Sequence, residues 1–518
     1  MQYILRSLLF VLFAGPMQAQ VLSQTQLEKN NVRADILNNG AFFYNASGQH
    51  GGYQVPKSGE VSTIFYGGFW IGAQDPYSNL HVSICKETAS SFSHGPIASG
   101  ASYNSLAYDA LYHESIWKVS KAEITQHQLH WQDASYVMPI SIEEWPGNGE
   151  VSLGVAAQLA PYIDLNANGI YEPQLGDYPD IRGDEACYVI YNDATHLLDE
   201  NKLGIEVHAM FYQFTTGNYL NNTTFLNLRV FNRSSVNYHN YRQALFLDFD
   251  IGFYADDYIG CAPEQRLLYG YNADDYDEVD AGWYGYGANP PSQGVMCMSH
   301  PLENASYFPN WNFTNADTAT WLLMNSQWAD SSNWIDPLSN QATNFVYNGN
   351  PNDSTQWSAE TSQQAAHDGR GFLTIHENNF AKNTSICTDY AFIYNKSGTR
   401  LHNVQELINT ASSLQELYNY SSIFPCTSEN LGLIAPAELS LDVNVFPNPA
   451  RNTVNVKVEI EAAFEHLSLV DLQGNVLHSQ STAGLTNLQL ELSELMAGSY
   501  FVVLEGKNGT ATKLLVIE

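Results

Sequence analysis

The stretch GIEVHAMFYQF, Gly204 to Phe214, decides how the chain is read. Ile205, Val207, Ala209 and Phe211 alternate with Glu206, His208, Met210 and Tyr212, and a period of two belongs to a strand with two distinct faces. FLNLRVFNRS (Phe225 to Ser234) repeats it, with Leu226, Leu228 and Val230 on one side and Phe225, Asn227 and Arg229 on the other. With YRQALFLDFDIGFY (Tyr241 to Tyr254), these segments predict a central antiparallel meander. Outward from it, aromatic and β-branched residues bounded by Gly, Asn, Asp and Pro recur along the chain, which predicts a mainly β fold with long loops. One helix stands out near 403–419, where Val404, Leu407, Ile408, Ala411, Leu414, Leu417 and Tyr418 keep helical spacing.

The chain has 518 residues, 44% of them hydrophobic, enough for several packed cores. Only 14% of residues are charged, yet 54 acids face 21 bases. That balance repels phosphate backbones and anionic membranes, so nucleic acid is excluded as a partner and cation binding or plain solubility is favoured. MQYILRSLLFVLFAGPMQAQ opens with one cation, Arg6, an apolar run from Leu8 to Ala14, a Pro16 breaker and small Ala19, the layout of a signal peptide over 1–19. No later segment reaches the ~20 apolar residues of a spanning helix, so no transmembrane segment is expected in the mature protein. Without a Cys near the cut, no lipid anchor is expected there. Six cysteines, none in a CxxC pair, favour disulfides over zinc in an exported protein. Sequence does not fix their connectivity; Cys261 with Cys297 is the preferred pair, across a Gly- and Tyr-rich segment, with free buried thiols as the alternative.

Residues 20–422 are expected to form a β-rich, sandwich-like extracellular region of one or two subdomains. Residues 423–442 lose periodicity and gather Pro, Gly and Ser, which marks a linker. Beyond it, 443–518 open with FPNP, and Val454, Val456, Val458 and Ile460 then alternate with Asn455, Lys457 and Glu459. LSLVDLQGNVLHS reads as a hairpin, Leu488, Leu490 and Leu492 alternate, and two more strands end the chain, the pattern of a small Ig-like β-sandwich.

NVFPNPA, VDLQG, the L-x-x-G-x-Y of Leu495 to Tyr500 and the terminal KLLVIE follow one another in 443–518. In these motifs the segment resembles the type A C-terminal sorting domain of the type IX (Por) secretion system of Bacteroidetes. The resemblance implies passage through the periplasm to the cell surface or beyond, with the translocon and the sorting-domain processing machinery as partners. NNVRADILNNGAFFYN, GGFWIGAQD, LDFDIGFYADDYIGC and YGYGANPPSQGV are similar to segments of large secreted proteins that carry this domain, in patches from about Asn30 to Asn419. That likeness implies export and a shared fold but names no reaction.

DLNANGIYEPQLGD carries the clearest binding motif. Asp164, Asn166 and Asn168 at spacings of two, Gly169 for a sharp turn and the carbonyl of Ile170 form the first half of an EF-hand-like calcium loop. The twelfth position is Leu175 where that loop has its bidentate Glu, so Glu172 and Asp177 are the candidates to complete the shell. All are hard oxygen ligands, which suit Ca2+ in a structural role. A metal-free loop held by Asx turns is the alternative.

Asp248, Asp250, Asp256 and Asp257, with Asp274, Asp275, Asp277, Glu278 and Asp280, form further acidic clusters. Paired carboxylates here would serve an extracellular hydrolase acting on polysaccharide; the alternative is metal bracing, including a second calcium site at Asp248, Asp250 and Asp257. There is no G-x-S-x-G elbow, H-E-x-x-H, P-loop or dinucleotide fingerprint, and strand His208 reads as a satisfied structural residue. GWYGYGANPP and Trp311, Trp321, Trp328 and Trp334 would stack on sugars or pack the loops. The reading is a secreted or surface protein with a structural or adhesive role. A hydrolase and a glycan-binding module are its alternatives, and the enzyme question stays open with the balance against catalysis.

Overall fold

Antiparallel pairing carries the strand periodicity into two packed sheets. The computed structural model describes residues 22–518 except 87–88, 101, 195–200, 280–281, 283, 310–315, 421–423, 425, 427–442, 459–463, 472–475, 483–486, 494, 496–497, 507–508 and 518. The signal peptide, nearly all of the linker, the DLQG turn, Trp283, Asp280 and Trp311 lie outside the described residues.

The principal strands are β1 (Tyr66–Gln74), β2 (Leu80–Lys86), β3 (Glu185–Asn192), β4 (Ile205–Gln213), β5 (Thr223–Asn232), β6 (Tyr238–Asp248), β7 (Asp257–Ala262), β8 (Leu267–Asn272), β9 (Ser292–Cys297), β10 (Asn304–Pro309), β11 (Gly369–Phe380) and β12 (Ser385–Asn395), followed by helix α1 (Arg400–Tyr420). One sheet runs β10-β11-β6-β1-β2; the other runs β3-β4-β5-β12-β9-β8-β7. The expected meander is therefore corrected: β4 and β5 pair, but Tyr241 to Tyr254 leaves for the opposite sheet, where β6 lies between β11 and β1. The turn after Asn232, tied by its side chain to Val236 O and Phe380 O, carries the chain across. Alternation specifies a strand's faces and leaves its neighbours open.

The faces fall where alternation puts them. Ile205, Val207, Ala209, Phe211, Leu226, Leu228 and Val230 join Phe69, Leu245 and Phe392 in the core between the sheets. Met210, Tyr212 and Phe225 belong to a second core under α1, whose Val404, Leu407, Ala411, Leu414 and Leu417 form its buried stripe. Gly294 on β9 lets the helix close in, since a Cβ there would stand 3.1 Å from Leu407 Cδ2. With both faces covered, β4 is buried at all nine positions, polar ones included, so each polar side chain on it needs a partner.

The expected Cys261–Cys297 bridge is also corrected. Both are buried free thiols, on β7 and β9, with β8 between them. Two strand spacings, about 10 Å, exceed the Cα separation a disulfide spans. The bridge that forms joins Cys387 to Cys426. Around it Asp389 accepts from Arg182 at 2.8 Å, from Asn227 at 2.7 Å, from Tyr418 at 3.0 Å and from the Cys426 amide at 2.9 Å. Phe424 packs into the core under α1 at 2% exposure, so the body is pinned as far as Cys426, inside the expected linker.

The C-terminal domain is a separate sandwich. Val443–Phe446, Thr453–Val458 and Asn487–Glu491 make one sheet; Val476–Ser481, Phe464–Val470, Gly498–Gly506 and Gly509–Ile517 make the other. Val454, Val456, Leu467, Leu488, Leu490, Leu504 and Leu515 fill its core. Asn448 of FPNP donates to Leu514 O at 2.7 Å and accepts from the Val516 amide at 2.8 Å, so the opening turn clamps the last strand.

Candidate functional site

The Asp164 to Asp177 loop folds around its own side chains. Asp164 Oδ2 accepts from the Gly169 amide at 2.7 Å, Asn166 Oδ1 from Asn168 at 3.0 Å and Asn168 Oδ1 from Ile170 at 2.8 Å. Gly169 has a positive φ of 79°, the backbone such a turn requires. Glu172 Oε2 takes the Asn168 amide at 2.5 Å and the Asn166 amide at 3.5 Å, which places it beside the other candidates. Asp177 is wholly buried, and its two oxygens accept from the Leu165 and Glu172 amides at 2.9 and 2.8 Å. It clamps the two ends of the loop together, while its carbonyl bonds His127 Nε2. Asp164 Oδ1 is buried without a hydrogen-bond partner. An orphaned carboxylate oxygen in an all-oxygen loop fits a hard cation.

The second acidic region lies where β6 ends. Asp248, Asp250 and Asp368 bring one oxygen each within 4.8 Å of one another, and Asp248 and Asp250 are 2% and 4% exposed. Asp257 and Asp277 are wholly buried. Asp277 accepts from the Phe253 and Tyr286 amides, and a Cβ on Gly252, at a φ of 79°, would strike its carboxylate. Burial, with Glu278 and Asp277 adding to it and Asn272 opposing, pushes the Asp256 carboxyl up to about 7. Burial likewise raises Asp277 to about 6. Of these carboxyls, Asp248, Asp250 and Asp368 gather round one point, with Asp248 and Asp250 covered. A glycoside hydrolase needs its pair facing across an open cleft, whereas Asp248 and Asp250 are covered.

A third group was not legible as a site in the sequence. Tyr188 hydroxyl meets His208 Nδ1 at 2.6 Å, His208 Nε2 meets Glu206 Oε1 at 3.0 Å, and Arg233 donates to the same oxygen at 2.9 Å. Glu206 Oε2 accepts from the Ile97 amide at 2.7 Å. Burial opposes the Glu206 charge, but the His208 hydrogen bond and Arg233 outweigh it and hold the carboxyl down at about 2. Burial lowers His208, so Arg233 is the counter-charge. His208 is a satisfied structural residue, as expected, within a larger buried network.

Of the tryptophans read as packing the loops or stacking on sugars, Trp334 is wholly buried, Trp328 packs on it and on Tyr307, and Trp321 lies under Arg242. An open groove of about 580 Å³ instead exposes Ile335 and Leu338 beside Trp357, Tyr347, Thr355 and Gln356. None of its lining side chains is a carboxylate.

The C-terminal sandwich answers the question of class. Residues 444–518 match the family described as the secretion system C-terminal sorting domain. The chain is a cargo protein of the type IX secretion system, destined for the cell surface or the extracellular space. No curated protein matches the chain. It is similar to a solved polysaccharide lyase (TM-score 0.18, 6% identity, covering 60% of this chain and 34% of that one). It is also similar to the BSP domain of a biofilm-associated protein (TM-score 0.14, 10% identity, 96% and 80%) and to a dimeric latent PorU from Porphyromonas gingivalis (TM-score 0.12, 9% identity, 65% and 32%). The chain spans about a third of the lyase and of PorU, and at these TM-scores none of the three bears on fold or function. No helix among the described residues is long and apolar enough to cross a membrane.

Proposed function

We propose that the body, once exported, is a calcium-braced β scaffold acting structurally or in adhesion outside the cell. The buried, partnerless Asp164 Oδ1 carries this reading. Asp164, Asn166, Asn168, the Ile170 carbonyl, Glu172 and Asp177 would hold the ion, with Asp177 already fixing both ends of the loop. Calcium there would join segments that hydrogen bonds alone now connect. An ion that binds only the folded chain at a hundred times its Kd stabilises it by about 2.7 kcal/mol. Chelation is therefore expected to lower the unfolding midpoint of the secreted protein, and Asp164→Ala to abolish that loop's share of the response. Equal calcium responses in wild type and variant would remove the metal from this loop.

A glycan-binding role is the second reading, favoured by the groove beside Trp357. An aromatic face with hydroxyl and amide groups around it suits a sugar ring, and the lack of a lining carboxylate makes it a binding surface with no catalysis. In a titration of the secreted protein against soluble polysaccharides, Trp357→Ala should weaken any binding about tenfold, or about 1.4 kcal/mol. Unchanged affinity would place the sugar elsewhere.

A further inference from the structure

We infer that the groove beside Trp357 selects neutral glycan chains over uronate- or sulfate-bearing ones, a specificity that rests on the glycan-binding reading and names its ligand class. Two segments build the groove. One is the hairpin of Ile335–Asp336 with Gln341–Ala342, which exposes Ile335 and Leu338; the other is the loop 354–362. The aromatic wall between them is fixed from behind. Trp357 packs edge-on against Tyr347 at 5.3 Å between ring centroids, Tyr347 stacks on Tyr307 at 5.2 Å, and the Tyr347 hydroxyl donates to Gln364 Oε1 at 2.9 Å. Tyr347 holds a φ of 54°, a left-handed backbone that a bulky residue rarely adopts, so its surroundings dictate its place. A ring propped in this way loses little freedom when a ligand lands on it. Around it, Thr361 Oγ1 donates to Gln356 O at 2.7 Å, and Gln356 Oε1 accepts from the Asn350 amide at 2.8 Å. The hydroxyls of Ser354 and Ser362 have no hydrogen-bond partner among the described residues and are left for a ligand.

Charge separates the ligand classes. No lining side chain is charged at neutral pH, and those next to the lining in the chain are acids: Asp336 adjoins Ile335 and Pro337, and Asp353 adjoins Ser354. Their own turns hold both. Asp336 accepts from the Leu338 amide and the Ser339 hydroxyl, and Asp353 from the Thr355 amide and hydroxyl and the Gln356 side chain. The Thr355 bonds keep the Asp353 carboxyl below its usual value, so it stays ionised in mild acid. Glu360, beside Thr361, is balanced by Arg400, which donates to its two oxygens at 2.8 and 3.2 Å and also pairs with Asp275. That guanidinium is committed and offers no charge to an anionic sugar. Recognition of a carboxylate or sulfate calls for Arg or Lys in the lining, and none is there. A net charge of -33 on the whole chain adds repulsion at long range. A neutral pyranose meets no such penalty: its C–H face suits Trp357 and the exposed aliphatic side chains, and its hydroxyls suit Ser354 and Ser362.

The test titrates the full chain with paired probes that differ only in charge: soluble gluco- and galacto-oligosaccharides, and the same chains oxidised at C6 to uronates. The buffer is free of divalent cations, so that none bridges a uronate to the acidic surface. At low salt a neutral chain should bind about tenfold or more tighter than its uronate, and the gap should shrink as salt screens the two flanking carboxylates. Asp336→Asn combined with Asp353→Asn, which keeps an acceptor oxygen in each turn, should cut the ratio to about threefold or less. Equal affinities for a neutral chain and its uronate, or a tighter uronate, overturn the selection and leave the glycan reading standing. A neutral preference undiminished by both Asn substitutions also overturns it, as does neutral binding that Trp357→Ala leaves unchanged. Binding of neither probe overturns the glycan reading and the selection with it.

Discussion

A chain lacking residues 443–518 is expected to accumulate in the periplasm, with none reaching the cell surface or medium. The sorting domain has its own two sheets and its own core, and of its described side chains Phe501, half-buried, packs against the body's second core. The body is closed off before the cut: Phe424 is packed under α1 and Cys426 is bridged to Cys387. The retained protein should therefore be folded and protease-resistant, which separates loss of export from loss of structure. Fractionation of the producing cell, with limited proteolysis of the periplasmic pool, reads both. Normal appearance of the truncated chain outside the cell would sink the assignment of 443–518 as the address.

Glu206→Gln is expected to be the most damaging single change in the body, at about 3–5 kcal/mol, because removing one partner of a buried ion pair leaves the other uncompensated. Arg233 loses its counter-charge, and His208 and the Ile97 amide lose a charged acceptor on a strand buried at every position. Asp133→Asn, which breaks the exposed His130–Asp133 pair, should by contrast change stability by less than about 1 kcal/mol. The pH dependence has a definite sign. Glu206 titrates near 2 in the folded chain, below the usual carboxylate value, so its contribution is complete above about 4.5 and lost as pH falls towards 2. The deficit of Glu206→Gln against wild type should therefore be constant between pH 5 and 8. Urea midpoints across that range check it, and a deficit vanishing at pH 5 would mean that Glu206 is already protonated there.

Local patterns were legible because they report local physics. Alternation in Gly204 to Phe214 and Phe225 to Ser234 named the faces that now point into two cores, and helical spacing at Val404 to Tyr418 found α1, which runs from Arg400 to Tyr420. The motifs of 443–518 identified a domain whose FPNP turn holds the terminal strand through Asn448. Partnership over distance was not legible. Asp368 lies far in sequence from Asp248 and Asp250, and nothing in spacing joins them. Trp357 attracted no notice beside the richer run around Trp321 to Trp334, because exposure depends on what packs above a residue.

The residues by themselves determined a mainly β exported chain, one long helix, a separate C-terminal sandwich that addresses the protein, and an oxygen-rich loop at Asp164 to Asp177. These follow from side-chain period, composition and short motifs, which act over a few residues. Only the tertiary structure decided that Tyr241 to Tyr254 crosses to the second sheet, that Cys387 takes Cys426 while β8 separates Cys261 from Cys297, and that His208 is held by Glu206 and Tyr188. It also decided that Asp248, Asp250 and Asp368 gather round one point, with Asp248 and Asp250 covered. Strand order, disulfide pairing and the company of a buried charge are set by which surfaces bury each other, and alternation constrains a strand's faces without naming its neighbours.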